Sequence, residues 1–531
     1  MRLKRRDFLL GTAGTLAALA GPRTLRAQTK KDTLVIGTRS AATSADPHYA
    51  NTQPNIDYAS HIFEKLVERD EHSKPTTGGL AESWTLVSDT VWEFKLRPNV
   101  LWHDGKPFTA EDVEFTLKRV PALTGTPGGF ASYINAISKI EIVDPLTIRL
   151  HTSAPYANLP RGVGTIYIVS KHAGADAKPE DYNSGRAAIG TGPYRYESFK
   201  QNEEAGFVRN DSYWGRKAPW QAVRLRTLAN DSTRIAALLA GDIDMADQIP
   251  TSDIAHLKTA PNVAVDQTDG MRSIFLFPNV SRDTDLQFIK AMDGSPLPHN
   301  PLRDLRVRQA LSLAIDRKLL VDRLMNGGAA ANGQWIPAGA YSYNPAIPVP
   351  VVNVQEAKRL LAEAGYPKGF RITLHSPNDR YPNDARVAQA IGQMWTRAGL
   401  AVDVAVMPYA VFAQRARKQE FAIHLIGWGN SAGDASTGLM NVVGSYNTET
   451  GWGVANEGRY SNPKLDAMTA KALATMDEKS REQQFKDAVK VAVDDLAILP
   501  LYQVNPVWAV RKGLHHNPRA DERTSAIDMS A

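Results

Sequence analysis

The sequence predicts an α/β protein built around a parallel sheet, and two observations, the composition and the order of the elements, support this prediction. The chain has 531 residues of near-average globular composition, enough for two to four domains with hydrophobic cores. Strand-like and helix-like segments alternate between residues 356 and 427. The chain has no cysteine, which excludes disulfides and thiolate metal sites. These features exclude collagen, coiled coil and bulk disorder, and favour a parallel sheet with crossover helices.

The first half of the chain contains elements of mixed type. Residues 33–37 form a short apolar strand that leads into a polar loop over residues 38–54. Thr109 and Asp112 form a capping box that predicts the start of a helix. A further helix is predicted over residues 232–239.

The second half is more regular. Apolar residues at helical spacing predict two helices, over residues 307–315 and 319–324, and another over 357–364. Beyond them the order is β-α-β-α-β, and because crossover helices join parallel strands, we expect the three strands to be parallel. The predicted strands cover residues 371–375, 402–407 and 421–427, and the predicted helices between them cover 385–398 and 411–418.

Residues 1–27 have the features of a signal peptide. They hold six of the 62 basic residues and one of the 56 acidic residues, so the rest of the chain is nearly neutral. A basic start is followed by an apolar run that is too short to span a bilayer, and we expect cleavage near Ala27. Arg5 and Arg6 before Phe8 resemble a twin-arginine export signal, with an ordinary secretory leader as the alternative. The expected destination is the periplasm.

Three loops with chemically distinctive side chains leave the carboxyl ends of the predicted strands. Ligands bind at this edge of an open parallel sheet. If the strands are adjacent, an arginine fork suited to a carboxylate, an indole face and an acceptor for an ammonium lie together, which suits a small zwitterion. Structural alternatives remain, with Arg380 as a surface residue, Trp428 as core and Asp434 as a helix cap. The candidate residues in these loops are Arg380, Tyr381, Tyr409, Trp428, Asn430, Ser431 and Asp434.

A series of sequence blocks runs along the mature chain. The blocks are residues 62–67 with Phe63-Glu64, residues 80–84, residues 94–113 with Trp102-His103-Asp104-Gly105, Gly190-Thr191-Gly192-Pro193-Tyr194, residues 210–214 with Tyr213-Trp214, residues 305–317, and Tyr460-Ser461-Asn462-Pro463. Each block alone is weak, but their order and spacing together are specific. In them the chain resembles the family 5 extracellular solute-binding proteins of ABC importers, of the dipeptide, oligopeptide and nickel type.

The resemblance implies a two-lobed fold of the large, three-domain periplasmic-binding type, with a hinge and with the ligand between the lobes. The strands near residues 271–277 and 499–502 are then expected to carry the crossings between lobes. The implied domains are lobe I from residues 28–72, 195–272 and 495–531, an inserted small domain from 73–194, and lobe II from 273–494.

The resemblance also implies roles for individual residues. In the family's peptide binders, an aspartate three residues after the tryptophan of the Gly-Trp block holds the ligand's amino group, and Ser431 stands there in this chain. Arg380 matches the arginine that takes the ligand carboxylate in dipeptide binders. The carboxylate contact is thus expected to be kept, with Asp434 as the nearest replacement for the amine contact. Candidate contacts from the other lobe and the hinge are Thr43, Ser44, His48, Met271 and Arg272.

The expected function is that of an importer's receptor, which captures a peptide-like or other carboxylate-bearing solute and delivers it to the membrane permease. No catalysis and no cofactor are expected. The expected partners are the ligand and the permease subunits, and no nucleic acid is expected. Membrane contact is expected only through the permease, and the protein is expected to be a monomer. Two alternatives stay open. One is a receptor on the same fold for a nickel complex, haem, opine, sugar or glutathione, and the other is an enzyme exported by the twin-arginine route.

Other motifs have simpler explanations. The pair His103 and Asp104 belongs to a turn before the capping box, which explains it better than a catalytic role. His515 and His516 could touch nickel, although a solvated tail is the simpler interpretation. No nucleophile elbow, P-loop or dinucleotide-binding motif stands between a predicted strand and helix. The near-neutral mature chain has no basic stripe for nucleic acid.

Overall fold

The computed structural model describes residues 32–127, 129–284, 286–430 and 432–530. The chain from Thr33 onward forms one compact unit. The predicted signal peptide, its twin-arginine motif and the cleavage position near Ala27 lie outside the described residues. Among helices in the described ranges, none combines the length and apolar character that a membrane span requires.

The first sheet is built around the strand predicted near the start of the mature chain. This strand, β1 (Thr33–Thr38), pairs in parallel with β10 (Ala222–Thr227) and β11 (Met245–Ala246). The other strands are β8 (Tyr194–Lys200), β9 (Glu204–Arg209), β12 (Val263–Gln267) and β20 (Val507–Arg511). From edge to edge the order is β12-β20-β11-β1-β10-β9-β8.

The second sheet contains the predicted β-α-β-α-β unit, which is confirmed. Strand β16 (Arg371–Pro377) pairs in parallel with β17 (Ala401–Met407) and with β18 (Ile423–Gly429). The connecting helices are α11 (Asp384–Arg397) and α12 (Tyr409–Arg417), so the loops after all three strands leave the same edge. The sheet also contains β13 (Arg272–Pro278), β14 (Ile289–Lys290), β15 (Ala329–Ala331) and β19 (Leu499–Val504), in the order β14-β16-β18-β13-β19-β15.

A smaller antiparallel sheet is inserted in sequence between β1 and β8 of the first sheet. It contains β4 (Ala81–Ser88), β5 (Val91–Leu96), β6 (Ile137–Asp144) and β7 (Thr147–Thr152), in the order β4-β5-β7-β6. Helix α2 (Ala110–Ala122) follows this sheet's first hairpin. It starts with the predicted capping box, in which the Thr109 backbone N–H donates to Asp112.

The remaining elements are mostly helices on the faces and ends of the sheets. The region predicted as a helix over residues 319–324 forms a π-helical turn (Leu320–Met325). The helices are α1 (Gln53–Ile62), α3 (Leu159–Val163), α4 (Lys171–Gly174), α5 (Pro179–Asn183), α6 (Asp231–Ala240), α7 (Ile254–Thr259), α8 (Leu305–Leu313), α9 (Arg317–Leu319), α10 (Val354–Glu363), α13 (Ser436–Asn441), α14 (Pro463–Ala474) and α15 (Glu478–Asp494). Short 3₁₀ turns cover Ala131–Tyr133, Pro301–Arg303 and Ala526–Asp528, and two-stranded ribbons pair β2 (Glu68–Arg69) with β3 (Pro75–Thr76) and β21 (His515–His516) with β22 (Met529–Ser530).

The chain passes between the two large sheets at two short segments. It leaves the first sheet after β12 and enters the second at β13, so the first crossing is residues 268–271. It returns between β19 and β20, at residues 505–506. Because β19 belongs to the second sheet, the chain returns to the first sheet after residue 504, and not at residue 495, where lobe I was expected to resume. Strands β13 and β19 are hydrogen-bonded neighbours in the second sheet. The crossings are therefore side by side.

Each sheet has its own hydrophobic core. Leu34, Phe207 and Trp508 lie in the core of the first sheet. Leu374 and Trp395 lie in a core beneath the second sheet. A separate cluster fills the smaller sheet and α2. Because burial of apolar surface is the main stabilising contribution, the two large sheets are supported independently of the cleft that separates them.

Three of the sequence blocks meet around Glu64. Its buried carboxyl group accepts hydrogen bonds from Tyr213 Oη at 2.7 Å and Trp214 Nε1 at 2.9 Å. A Cβ on Gly190 would lie 1.8 Å from the carbonyl oxygen of Ile62, so the turn after the small domain packs closely only with glycine. The blocks thus fix how α1 joins the rest of the chain.

Replacing Glu64 with glutamine is expected to change how stability depends on pH. Burial raises the pKa of Glu64 to about 7 although two side chains donate to it. Between its ordinary value and pH 7 the folded state keeps a proton that the unfolded state has lost, so stability falls as pH rises through this range. By pH 8 the free energy of unfolding has fallen by up to about 3 kcal/mol. Urea unfolding measures the free energy of unfolding of Glu64→Gln relative to that of the wild type, and this difference should favour the variant more at pH 8 than at pH 5. An equal difference at both pH values would contradict this assignment.

Candidate functional site

Two adjoining cavities lie where the two large sheets face each other. Cavity A measures about 850 Å³ and cavity B about 770 Å³, counting space open to solvent. Gln53, Arg272, Arg380 and Glu522 line both cavities and so mark their shared boundary. Both lobes contribute, because Gln53 begins α1 beside the first sheet whereas Arg380 follows β16 of the second.

The loop after β16 holds Arg380 in place. The backbone N–H groups of Arg380 and Tyr381 both donate to Asp384 Oδ2, at 3.0 Å each. The guanidinium lies over the ring of Tyr409, 5.1 Å from its centre, and 5.8 Å from that of Tyr381. The aromatic rings therefore support the cation at the carboxyl edge of the sheet.

Arg380 has unused hydrogen-bonding capacity. Its Nε is buried and has no partner, and within the described residues the side chain forms no ion pair. By contrast Arg272 is paired with a carboxylate, because it donates to Glu522 through Nε at 3.0 Å and Nη2 at 2.9 Å. A planar guanidinium with free donors in a cleft is suited to a carboxylate.

The end of β18 places two further predicted residues in cavity B. Trp428 and Asn430 both line it, together with Met271 from the crossing segment. The Asn430 backbone N–H donates to the Met271 carbonyl at 3.0 Å, which fixes the loop against β13. Trp428 Nε1 and both polar side-chain atoms of Asn430 are buried, and they have no hydrogen-bond partner within the described ranges. The structure therefore brings Arg380, Trp428 and Asn430 to one cavity.

Tyr381 and Tyr409 occupy different positions around this cavity. Tyr381 lines cavity A and donates its hydroxyl to the Gly427 carbonyl at 3.3 Å. Tyr409 lines neither cavity and lies under the Arg380 guanidinium. Ser431, where the resemblance expects the amine-binding aspartate, lies outside the described residues.

Asp434, which was expected to replace the amine contact, lines neither cavity A nor cavity B. It is fully buried and accepts from Asn158 Nδ2 at 2.8 Å and from the Ser436 backbone N–H at 2.9 Å. Arg161 adds an ion pair at 3.6 Å. The carboxylate thus binds the first residue of α13 and joins the small domain to the second lobe, so protein groups already occupy it.

The three candidates in the first loop also lie away from the cavities. Thr43 and Ser44 hydrogen-bond to Asn55 and Asn183 respectively. His48 is buried against the Tyr167 carbonyl, and burial with the neighbouring Arg119 lowers its pKa to about 4. The side chains that line the cleft from this region are instead Ser40, Asn51, Thr52 and Gln53.

Cavity A contains two carboxyl groups that sequence reasoning missed. Asp57 on α1 accepts from the Thr524 backbone N–H at 2.9 Å and from Gln53 at 2.8 Å. Asp247 accepts from the Arg39 backbone N–H at 2.7 Å. Burial raises the pKa of Asp57 well above its ordinary value and that of Asp247 to about 6. No local pattern marks either residue in the sequence, because the segments meet only in the fold.

The His103–Asp104 motif lies outside both cavities. His103 Nε2 contacts the Gly192 carbonyl at 3.0 Å, and Asp104 pairs with His172 at 2.7 Å. His516 faces Asp266 at 3.4 Å. Among the described residues, no group of three or more histidine, aspartate or glutamate side chains is arranged to hold a metal ion.

Comparison with known proteins gives one family. The model of the bacterial extracellular solute-binding proteins, family 5, matches residues 76–450. The chain is 26% identical over 472 residues to heme-binding protein A of Haemophilus influenzae, covering 83% of this chain and 82% of that one. It is 28% identical over 496 residues to the glutathione-binding protein GsiB of Escherichia coli O157:H7, covering 91% of each.

Solved structures give the same fold. The periplasmic binding protein DppA from Helicobacter pylori, in complex with the peptide STSA, superposes with a TM-score of 0.78 at 23% identity. The superposition covers 94% of this chain and 98% of that one. The α/β architecture with two large sheets facing across a cleft is thus the two-lobed periplasmic-binding-protein fold.

Proposed function

The chain belongs to the bacterial extracellular solute-binding proteins of family 5, and we propose that it is the periplasmic receptor of an ABC importer. In this role it captures a peptide-like or other small carboxylate-bearing solute between the two lobes and delivers it to the permease. It carries out no chemistry on the solute. We include in the proposal a monomeric state and export through the twin-arginine leader, with cleavage near Ala27.

The unpaired guanidinium of Arg380 is the main observation that supports the proposed ligand class. An unpaired cation on the wall of a cleft, supported by two tyrosine rings, is complementary to an anionic group. Removing solvent from such a cation without supplying an acceptor is unfavourable, so the site favours ligands that bring a carboxylate. Trp428 and Met271 supply apolar surface next to this cation.

Closure of the lobes is the proposed mechanism of capture. Three contacts that join different domains support it. They are Arg272 with Glu522, Asn383 Nδ2 with Thr251 Oγ1 at 2.7 Å, and Arg161 of the small domain with Asp434 of the second lobe. The crossings at residues 268–271 and 505–506 are the proposed hinge. A ligand that touches both walls stabilises the closed form by its differential affinity for that form. We propose the lobes and the small domain as the resemblance divides them, except that β13, from Arg272 onward, and β19 belong to lobe II.

Intact mass spectrometry of the exported protein tests the function. Purified under native conditions, the protein should carry a bound small molecule that denaturation releases chemically unchanged. The released compound should contain a carboxylate, and its mass should not change after prolonged incubation with the protein. Steady conversion of the compound would overturn the receptor role in favour of an exported enzyme, and a compound without an acidic group would overturn the proposed ligand class.

A further inference from the structure

The side chain of Asn430 is buried in cavity B with its hydrogen-bonding capacity unused. Its exposed fraction is 2%, and neither Oδ1 nor Nδ2 has a hydrogen-bond partner among the described residues. Its backbone is held by Met271 and by a bond from the Gly433 N–H at 3.1 Å, so the residue cannot easily turn away. Buried amides in folded proteins are nearly always paired, and an unpaired one that lines a cavity indicates a missing partner.

The charged groups around cavity B restrict what that partner can be. The two carboxylates that line this cavity are already engaged, Glu522 by Arg272 and Asp521 by Arg519 at 2.8 Å. Asp434 does not line cavity B and is held by Arg161. The carboxyl groups of Asp57 and Asp247 line cavity A and not cavity B. An ammonium group in cavity B would therefore meet no free carboxylate among the residues that the structure describes.

The hydrogen-bonding pattern of the cavity wall points the same way. An ammonium group only donates, so it could satisfy Oδ1 of Asn430 but would leave Nδ2 and the nearby Trp428 Nε1 unpaired. A neutral amide or hydroxyl both donates and accepts, and it can satisfy the amide of Asn430 in both senses. A ligand that leaves buried polar groups of the site unpaired loses binding free energy. The match of donors and acceptors therefore sets the preference of cavity B for a neutral group over an ammonium group.

We propose that Asn430 is a specificity-determining residue that selects ligands carrying a neutral donor-and-acceptor group, a carboxamide or hydroxyl, in place of a free ammonium. This inference rests on the proposed function, in which Arg380 takes the ligand's carboxylate. The ligand class is thus an acidic solute whose opposite end is uncharged, such as an N-acylated amino acid or peptide.

Paired probes separate this inference from the proposed function. The probes are Ala-Ala, Ala-Phe and Leu-Ala, each with a free amino terminus and each N-acetylated, titrated calorimetrically into the wild-type protein. We expect the acetylated form of a bound pair to bind at least tenfold more tightly. In Asn430→Asp the preference should reverse, because the carboxylate supplies an ammonium acceptor, and in Asn430→Ala it should fall below threefold. Circular dichroism melting checks that both variants fold.

The outcomes are distinct. Equal or tighter binding of the free form by the wild type, with affinity still dependent on Arg380, would overturn this inference and leave the receptor function in place. An unchanged preference in Asn430→Ala would also overturn it. Binding of no member of any pair, while the carboxylate ligand recovered from the purified protein carries an ammonium group, would likewise overturn it. If that recovered ligand carries a carboxamide, hydroxyl or acylated nitrogen, its loss of affinity on Asn430→Ala supports the inference.

Discussion

Replacing Arg380 with alanine is expected to weaken ligand binding about 30-fold or more. Loss of a charge-assisted hydrogen bond between buried groups costs about 2 kcal/mol, and each 1.4 kcal/mol is a factor of ten in Kd. Of the two arginines among the described residues that line the cavities, Arg380 is the free one, since Arg272 is held by Glu522. Calorimetric titration of the solute recovered from the wild-type protein measures the effect.

Two further variants make this result interpretable. Arg380→Lys keeps the charge but loses the planar fork, so its affinity should lie between those of the wild type and the alanine variant. Arg371 is exposed at the opposite end of β16, and Arg371→Ala should bind like the wild type. Wild-type affinity in Arg380→Ala would remove the residue from the site and with it the argument for a carboxylate ligand.

Replacing Arg119 with methionine is expected to lower the free energy of unfolding by about 3–5 kcal/mol, the cost of leaving a buried charge unpaired. Arg119 on α2 binds Asp46 through Nη2 at 2.6 Å and Nη1 at 3.1 Å, and the Asp46 side chain is fully buried. The pair joins the small domain to the loop after β1. Urea unfolding followed by circular dichroism gives the change.

The same variant also tests the position of His48. Neither Asp46, His48 nor Arg119 lines a cavity, so the folded Arg119→Met protein should keep its ligand affinity within about twofold of the wild type. The double variant Asp46→Ala with Arg119→Met should recover part of the lost stability, because no unpaired carboxylate remains. A single variant as stable as the wild type, or a tenfold loss of affinity, would contradict this structural role.

The parts of the fold that the sequence predicts are those with local patterns. The helix and strand periods between residues 356 and 427 gave the order of β16, β17 and β18, and parallel pairing brings their carboxyl ends together. That is why the sequence alone predicts Arg380 and Trp428 at one edge of the sheet. Insertion of β13 between β18 and β19 could not be predicted, because it depends on pairing between distant segments.

The same reasoning explains why some candidate residues lie away from the two cavities. Asp434 and His48 have residue types suited to binding, but their partners Asn158, Arg161 and Arg119 come from the small domain. Residue type and loop position do not reveal such distant partners. Asp57 and Asp247 were missed for the converse reason, since each carboxyl group gains its significance only when separate segments enclose cavity A.

The two adjacent crossings give the molecule a practical use. Because residues 268–271 and 505–506 connect independently supported cores, the proposed lobe movement would change the surroundings of the cleft rim and leave each core intact. The chain has no cysteine, so one thiol introduced at an exposed rim position would be the sole attachment point for an environment-sensitive dye. The protein is thereby suited to conversion into a reagentless fluorescent biosensor for its own solute.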